Sequence, residues 1–312
     1  LAYRDAIIFI RILFIPIFIY FFVLNDENRI KQLALIVFLS VLFVCLDTIY
    51  QFTNYDPLSG FGKDIFGYIP ESEFYGRLSG PFKDLVPGAY VSKFTLIGLV
   101  FIILHFKNKK LQKTLSIFYL TLAGFVTYIS GERMALVTFI LGLGLLIIFF
   151  KKRRLTFIIA MILILISSFL ANKIHPIYND YSIIESSPHH LGLKIEKTYK
   201  CKDAQSNECK KIINMQPSFI KVLQDFGNSS YGQIFSLAIK MWKDHPLQGI
   251  GLNNFTNLCN NDQKYQNSIK NYNCVTHPHN FYLQWLVETG IFGLFLFLIY
   301  IYLIFNFVYN NI

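Results

Sequence analysis

The sequence predicts an all-α fold, a polytopic bundle of transmembrane helices with a mostly helical loop domain on one side of the membrane. The chain has 312 residues, of which 54% are hydrophobic and only 15% are charged, and it contains 32 Phe and 19 Tyr. Its mean hydropathy is +0.42. This composition is typical of an integral membrane protein and argues against a water-soluble domain. Apolar runs long enough to cross a membrane recur along the chain, separated by short basic segments.

Seven segments are apolar over the roughly 20 residues that a helix needs to cross about 30 Å of hydrocarbon. We expect spans at residues 6–24, 33–50, 89–106, 114–130, 134–150, 155–172 and 281–308. The first run has no basic n-region and no small-residue cleavage site, so it does not resemble a signal peptide. Because the chain opens at Leu1 with this run close behind, we expect its true N-terminus to be missing.

Three short basic loops predict the orientation of these spans. Residues 25–32, 107–113 and 151–154 contain ten Lys and Arg residues in total. Short loops rich in Lys and Arg mark the cytoplasmic side of a membrane protein, and these three alternate correctly along the seven spans. The net charge of +10 is therefore mainly a topology signal, which argues against a nucleic-acid surface.

The long loops fall on the opposite, extracytoplasmic side. We expect residues 1–172 to form six spans with an outer loop at 51–88, residues 173–280 to form a large outer loop, and residues 281–312 to form the last span. Within the large loop, residues 230–242 have the pattern of an amphipathic helix, which the Pro and Gly residues of "DHPLQGIGLNNF" end. We therefore expect the large loop to be folded.

Cysteine placement agrees with this topology. Cys45 lies inside an expected span, whereas Cys201, Cys209, Cys259 and Cys274 all lie in the large outer loop, in a compartment expected to be oxidising. We expect two disulfides, and short spacing favours Cys201 with Cys209 and Cys259 with Cys274, although four cysteines allow three pairings. The spacings are too wide for a typical zinc site.

Cationic and imidazole side chains are expected together on the outer surface. Arg77 precedes the third span, Arg133 lies in the short turn between the fourth and fifth, and His277 and His279 precede the seventh. Plainer interpretations exist for each. An Arg at the end of a span often only anchors its helix, and Arg133 could pair with the neighbouring Glu132. The two His residues could be solvated or could ligate a metal, although few acidic ligands lie nearby.

A polar stripe follows the two His residues into the last span. On a helix that begins near His279, the side chains of Asn280, Gln284 and Glu288 share one face because they are four residues apart. Ionisable groups inside a membrane are costly and by default indicate function.

These residue types favour phosphate chemistry at the outer surface. A guanidinium group presents a planar fork of donors that matches phosphate oxygens, and it stays charged at any relevant pH. Two Arg residues could hold a diphosphate, and a neutral His could take a proton from an attacking hydroxyl. The pattern predicts a transferase with a lipid diphosphate donor, in which Arg stabilises the departing charge.

The stretch "HNFYLQWLVETGIFG" resembles the His-Asn, nine residues, Gly-x-x-Gly pattern of the O-antigen ligase and polymerase superfamily, at His279, Asn280, Gly290 and Gly293. Four further stretches resemble other blocks of that superfamily in the same order: "LDTIYQFTNYDPLSG", "GRLSGPFKDLVPGAYVSKF", "SGERMALVTFILGLG" and "AIKMWKDHPLQGIGLNNF". Each block alone is weakly specific, whereas five in order identify the superfamily.

The resemblance implies a bacterial inner-membrane glycosyltransferase of the GT-C kind. Such an enzyme takes a glycan from undecaprenyl diphosphate on the periplasmic side, without a metal or other cofactor, and for a ligase the acceptor is the lipid A core. By this similarity His279 would be the catalytic base and Arg133 would contact the diphosphate. We expect the substrate-binding residues to include Arg77, His277, Asn280, Lys83, Gln51, Tyr231, Lys240 and Glu288.

One position departs from the family pattern. Members commonly carry an Arg in the large loop, ahead of the "DHPLQGIG" block, where this chain has Tyr231. We expect that Lys240, Lys243 or Lys221 replaces this Arg, or that Arg77 supplies the second phosphate contact; Lys is the poorer match for a bidentate contact. The helix number of the family also implies that this chain is truncated at both ends.

Two classes of function stay open. The first is the glycosyltransferase, as a ligase, as a polymerase that extends a glycan, or as a protein O-oligosaccharyltransferase. The second is a transporter or flippase that uses the same polar cleft. Transporters commonly have broken helices near the membrane midplane and repeated halves, whereas here the polar residues cluster at one face and no repeat is visible. The sequence therefore favours transfer chemistry.

Overall fold

The computed structural model describes residues 14, 18–23, 25–55, 62–69, 76–82, 87–179, 182–186, 193–199, 209–215, 219–266 and 274–311. The chain divides into two compact units. The first unit comprises Ile19–Ser187 and Gly192–Gln216, and the second comprises Leu1–Phe18, Pro188–Leu191 and Pro217–Ile312.

The first unit is built mainly from apolar helices. In chain order they are a π-helical turn at Ile19–Val23, α1 (Glu27–Thr53), α2 (Pro87–His105), α3 (Lys109–Ile129), α4 (Arg133–Phe149), a 3-10 turn at Lys151–Arg153, α5 (Arg154–Ile174) and α6 (Pro176–Asn179). At two of the helix starts the residue directly before the helix caps it: Asp26 accepts from Asn28 N–H at 2.8 Å, and Asn108 accepts from Lys110 and Leu111 N–H.

Helices α1 to α5 share one apolar core. Its members include Val41, Leu99, Leu120, Ala160 and Ile164, none of them more than 4% exposed. A small residue lets two of the helices approach closely, because a Cβ at Gly124 in α3 would overlap the Ile164 side chain in α5.

A three-stranded antiparallel sheet, of order β1-β2-β3, also belongs to the first unit. Its strands are β1 (Ser182–Ser186), β2 (Leu193–Tyr199) and β3 (Cys209–Met215). Lys194 pairs with Asn214 and Ile195 with Ile213. The expectation of an all-α fold is therefore wrong in this segment. In β2 apolar and charged residues alternate over "LKIE", and a period of two is the pattern of a strand.

The helices of the first and second units include four that are long and apolar enough to cross a membrane: Glu27–Thr53, Pro87–His105, Lys151–Ile174 and Phe281–Leu303. The protein is thus a multi-pass membrane protein. The expected spans at 114–130 and 134–150 coincide with α3 and α4, but neither is among those four, and α4 has only 17 residues. The expected span at 6–24 lies largely outside the described residues.

The second unit holds the shorter helices that precede the last span. They are α7 (Phe219–Gln224), a 3-10 turn at Phe226–Asn228, α8 (Ser230–Asp244), α9 (Phe255–Asn261), α10 (Gln263–Gln266) and α11 (Phe281–Asn311). Helix α8 buries Ile234, Ala238 and Met241, which confirms the expected amphipathic helix and its end before Pro246.

A disulfide lies in the apolar core of the second unit. Cys259 bonds to Cys274, as the spacing favoured, and its side chain packs with Leu237, Phe255 and Val287. Cys45 in the first unit is a buried free thiol. The expected pairing of Cys201 with Cys209 lies outside the described residues.

Candidate functional site

A cavity of about 220 Å³ in the first unit brings the two predicted phosphate-binding Arg residues together. Both Arg77 and Arg133 line it, although they are far apart in sequence. The remaining lining residues are Gly76, Thr127, Tyr128, Gly131, Glu132, Leu136, Ile177 and Tyr178. The walls are therefore cationic on one part and aromatic on another.

The turn between α3 and α4 places Arg133 at this cavity. Arg133 is the first residue of α4, whose N-terminal N–H groups and macrodipole favour an anion. Gly131 turns the chain with φ of +76°, and a Cβ there would lie 3.2 Å from Arg77 Cγ. Gly131 therefore permits both the turn and the close approach of the Arg77 side chain.

The loop that carries Arg77 is held on both sides through its own backbone N–H groups. Leu78 N–H donates to Ser130 O at 3.4 Å. Gln51 in α1 is fully buried, and its Oε1 accepts from Ser79 N–H at 3.0 Å and from Gly80 N–H at 2.9 Å. The hydrogen bonds made by the Gln51 side chain are thus with the loop that carries Arg77.

Glu132 links the Arg turn to α2. Its carboxylate accepts from Gly88 N–H at 2.9 Å and from Ala89 N–H at 3.0 Å, and so caps the start of α2. Burial raises the pKa of Glu132, while the two N–H groups and the charge of Arg77 act in the opposite direction.

The aromatic wall of the cavity is held by His175. The Ile177 N–H donates to His175 Nδ1 at 3.2 Å, so the proton of the neutral ring sits on Nε2, which donates to Phe52 O at 2.9 Å. The ring also stacks on Phe52, with centroids 3.8 Å apart. Burial lowers the pKa of His175, which favours this neutral form. The ring thereby fixes the start of α6, which carries Ile177 and Tyr178.

The predicted base His279 lies in the second unit, just before α11. It has φ of +55°, in the left-handed region that few residues other than Gly adopt, although His, Asn and Asp do so more often than most. Its ring lies 4.3 Å from that of His277 and meets the Tyr231 ring edge-on at 6.1 Å, measured between centroids. The ring is partly exposed. Its neighbours nevertheless remove part of its contact with water, which lowers the pKa of His279, and the charge of His277 lowers that pKa further to a smaller extent.

The polar stripe predicted on α11 is only partly formed as expected. Gln284 Nε2 donates to Glu288 Oε1 at 3.1 Å, and Glu288 is 4% exposed. Asn280 instead caps the helix, because its Oδ1 accepts from Leu283 N–H at 3.0 Å. A backbone hydrogen bond from Asn253 also reaches Glu288. The Glu288 carboxylate thus ties the start of α11 to the loop after α8.

Helix α11 breaks at Gly290, where φ is +68°. The loop after α8 supplies hydrogen bonds on both sides of the break: Ile250 N–H donates to Val287 O, Gly251 N–H to Glu288 O, and Ile291 N–H to Pro246 O, at 2.8, 3.0 and 2.9 Å. Broken backbone inside a membrane is stable only when such partners exist. The "DHPLQGIG" and "HNFYLQWLVETGIFG" stretches therefore form one substructure.

The remaining expected site residues are Lys240 and Lys83. Lys240 Nζ donates to Lys264 O at 2.8 Å, and Lys264 pairs with Asp244 at 2.6 Å. Lys83 lies outside the described residues, as does the side chain of Lys221. Within the described residues, no three His, Cys, Asp or Glu side chains gather into a possible metal site.

Sequence reasoning missed His175 and Tyr178. Neither lies in a recognised block, and the stretch "KIHPIYND" carries no pattern that separates a structural His from a solvated one. The only available signal was Pro176 directly after the last turn of a span, which marks a helix end near the membrane surface.

The family model described as O-Antigen ligase matches residues 117–298. This range includes Arg133 and His279, but not Arg77. A search of curated proteins and a search of solved structures each returned no match.

Proposed function

Because the chain belongs to the O-antigen ligase family, whose members are glycan transfer enzymes of the ligase or polymerase type, we propose that it is an O-antigen ligase. It transfers a glycan from undecaprenyl diphosphate to the lipid A core, at the periplasmic face of the bacterial inner membrane. The observation that carries this proposal is the presence of Arg77 and Arg133 in one cavity beside the start of α4.

The Arg cavity suits the diphosphate of the donor. A guanidinium group presents a planar fork of donors that matches phosphate oxygens, and the N-terminus of α4 adds backbone N–H groups directed at an anion. When the bond between glycan and phosphate breaks, negative charge develops on the departing diphosphate. Arg133 and Arg77 stabilise this charge without a metal ion, so transfer proceeds in the presence of EDTA.

His279 suits the role of general base. Its lowered pKa keeps the ring neutral at physiological pH, so a ring nitrogen can accept the proton of the attacking acceptor hydroxyl. His277 and Tyr231 flank the ring. Tyr231 occupies the position of the missing family Arg, and we assign it a contact with the acceptor or donor sugar beside His279.

A transporter or flippase is the second candidate, and the break in α11 at Gly290 favours it. Discontinuous spans are common at the binding sites of transporters. A transporter moves its substrate without forming a glycosidic bond, so product analysis separates the two functions.

The test is transfer of radiolabelled glycan from undecaprenyl diphosphate to purified lipid A core. We expect His279→Ala to lower the rate about 10²- to 10⁴-fold and Arg133→Ala about 10²- to 10³-fold. The exposed His105→Ala and Arg29→Ala variants are matched controls and retain the wild-type rate. Unchanged transfer in both site variants would contradict the catalytic roles.

The same assay distinguishes the acceptors. Transfer onto a growing glycan but never onto core identifies a polymerase, and transfer onto a protein acceptor identifies an O-oligosaccharyltransferase. Movement of the lipid-linked glycan across proteoliposomes without any new bond identifies a flippase.

A further inference from the structure

The loop at residues 62–69 runs back along α1 after that helix ends. A Cβ at Gly62 would overlap the carbonyl oxygen of Gln51. Further along the loop, Ile65 N–H donates to Asp47 Oδ1 at 2.8 Å, and the Phe66 ring lies 6.3 Å from that of Phe43. The loop therefore meets α1 at residues 51, 47 and 43 in turn. Each of these lies four residues nearer to the start of α1 than the one before it. At 1.5 Å per residue the loop descends about 12 Å along the helix.

This descent takes the loop below the end of a membrane span. Helix α1 extends to Thr53 and is one of the four candidate spans. Phe43 lies ten residues before that end, which corresponds to about 15 Å along the axis. A loop that contacts Phe43 therefore reaches the depth at which the side chains of α1 face hydrocarbon.

Four backbone N–H groups of the loop donate hydrogen bonds within the protein: that of Ile65, given above, and three more. Asp64 N–H donates to Tyr68 O and Gly67 N–H to Asp64 O, at 2.9 and 3.0 Å. Tyr68 N–H donates to the Asp64 carboxylate at 2.7 Å. Both acidic acceptors are buried, with Asp47 at 0% and Asp64 at 3% exposure. Irregular backbone persists at membrane depth only when its polar groups are satisfied inside the protein.

Apart from Lys63 near its start, the outward side chains of the loop are apolar or aromatic. Ile65, Phe66, Tyr68 and Ile69 are 51%, 61%, 59% and 45% exposed. They continue an exposed apolar face of α1 that includes Leu39, Phe43, Leu46 and Tyr50. Such an exposed apolar patch on a soluble loop would be a liability, whereas beside a span it has a natural partner in lipid.

We propose that residues 62–69 form a re-entrant loop that enters the bilayer beside α1 and contacts lipid acyl chains there. Asp47 holds the loop at depth through Ile65 N–H. Gln51 connects this loop to the loop that carries Arg77, because its backbone meets Gly62 while its side chain holds Ser79 and Gly80. The proposal does not depend on which glycan acceptor the protein uses.

The test is fluorescence of a bimane label on Phe66→Cys, in the full chain reconstituted into phosphatidylcholine vesicles. Lys63→Cys is the matched control, because Lys63 lies on the same loop and has a charged, exposed side chain. The fluorescence of label bound to the chain without either substitution is subtracted. We expect quenching by doxyl-labelled acyl chains to be at least twofold stronger at position 66 than at 63. Aqueous iodide should quench in the reverse order.

Iodide quenching at position 66 as strong as at 63, without doxyl quenching, would overturn the proposal. Blue-shifted emission at 66 that neither quencher affects would assign the surface to a protein contact and would overturn it as well.

A second pair of variants tests the anchor. Asp47→Asn keeps an oxygen acceptor for Ile65 N–H, whereas Asp47→Leu removes it. We expect doxyl quenching at position 66 to persist in Asp47→Asn and to fall at least twofold in Asp47→Leu. Equal quenching in the two variants would contradict the anchoring role of Asp47.

Discussion

Gly249 and Gly290 pack backbone against backbone: a Cβ atom at Gly249 would lie 2.6 Å from the nitrogen of Gly290. This close approach allows the loop after α8 to hydrogen-bond to α11 on both sides of the break at Gly290. The break follows the helical turn that carries Gln284 and Glu288. The two glycines therefore help to fix the segment that begins at His279.

We expect Gly290→Ala to destabilise the protein. The new methyl group would overlap the carbonyl of Leu247, and φ of +68° is unfavourable for Ala. The strained φ alone should lower the free energy of unfolding by about 1–3 kcal/mol, and the overlap should lower it further. Transfer activity should be lost as well. Thermal unfolding in detergent measures the change. Gly144→Ala in α4 is the control, because nothing lies within 4 Å of its new Cβ; an equal loss there would refute the packing argument.

We expect the rate of transfer to follow the protonation state of the His279 ring as the pH changes. Burial and then the charge of His277 lower its pKa. The neutral base is present above this pKa, so activity should persist below the pH at which an ordinary His would be protonated. In His277→Gln the repulsion is absent, and the acidic limb of kcat/KM should move to higher pH. An acidic limb that stays in place or moves to lower pH would rule out this coupling.

We expect Gln51→Ala to weaken donor binding. The variant leaves the N–H groups of Ser79 and Gly80 without their acceptor, which costs about 1–3 kcal/mol, and loosens the loop that carries Arg77. The KM for the donor should rise severalfold, and this factor should exceed the factor by which kcat falls.

The control for this variant is Gln112→Ala. Gln112 is 2% exposed and is likewise hydrogen-bonded to backbone, at Ile103 and Phe106, but it lies outside the Arg cavity. We expect it to lose stability with an unchanged donor KM. The same rise in KM in both variants would show a general packing effect.

We expect Cys259→Ser to cost about 3 kcal/mol of stability, because the disulfide closes a loop of 15 residues. The thermal midpoint should fall, and dithiothreitol should lower the midpoint of the wild type to the same extent. Cys45→Ala also removes a buried sulfur but no disulfide. If the thermal midpoint of Cys45→Ala fell as far as that of Cys259→Ser, loss of the disulfide would not be the cause of the lower stability.

Several features of this protein were readable from the sequence because their causes are local. Hydropathy over a span length located α1, α2, α5 and α11, and helical periodicity located α8. Short spacing favoured the disulfide between Cys259 and Cys274. These predictions depend on residues close together in the chain, where pattern and structure are directly linked. The sheet formed by β1, β2 and β3 was missed because apolar and charged residues alternate over only four residues of β2, among polar residues that are also typical of loops.

Only the tertiary structure decided which distant side chains meet. It brought Arg77 and Arg133 to one cavity, seated Gln51 on the loop that carries Arg77, and set the Tyr231 ring against His279. It also showed that the "DHPLQGIG" loop supports a broken helix. Such contacts are selected by packing and by the need to satisfy buried polar groups across the whole unit, and this need leaves no periodic signal in the sequence.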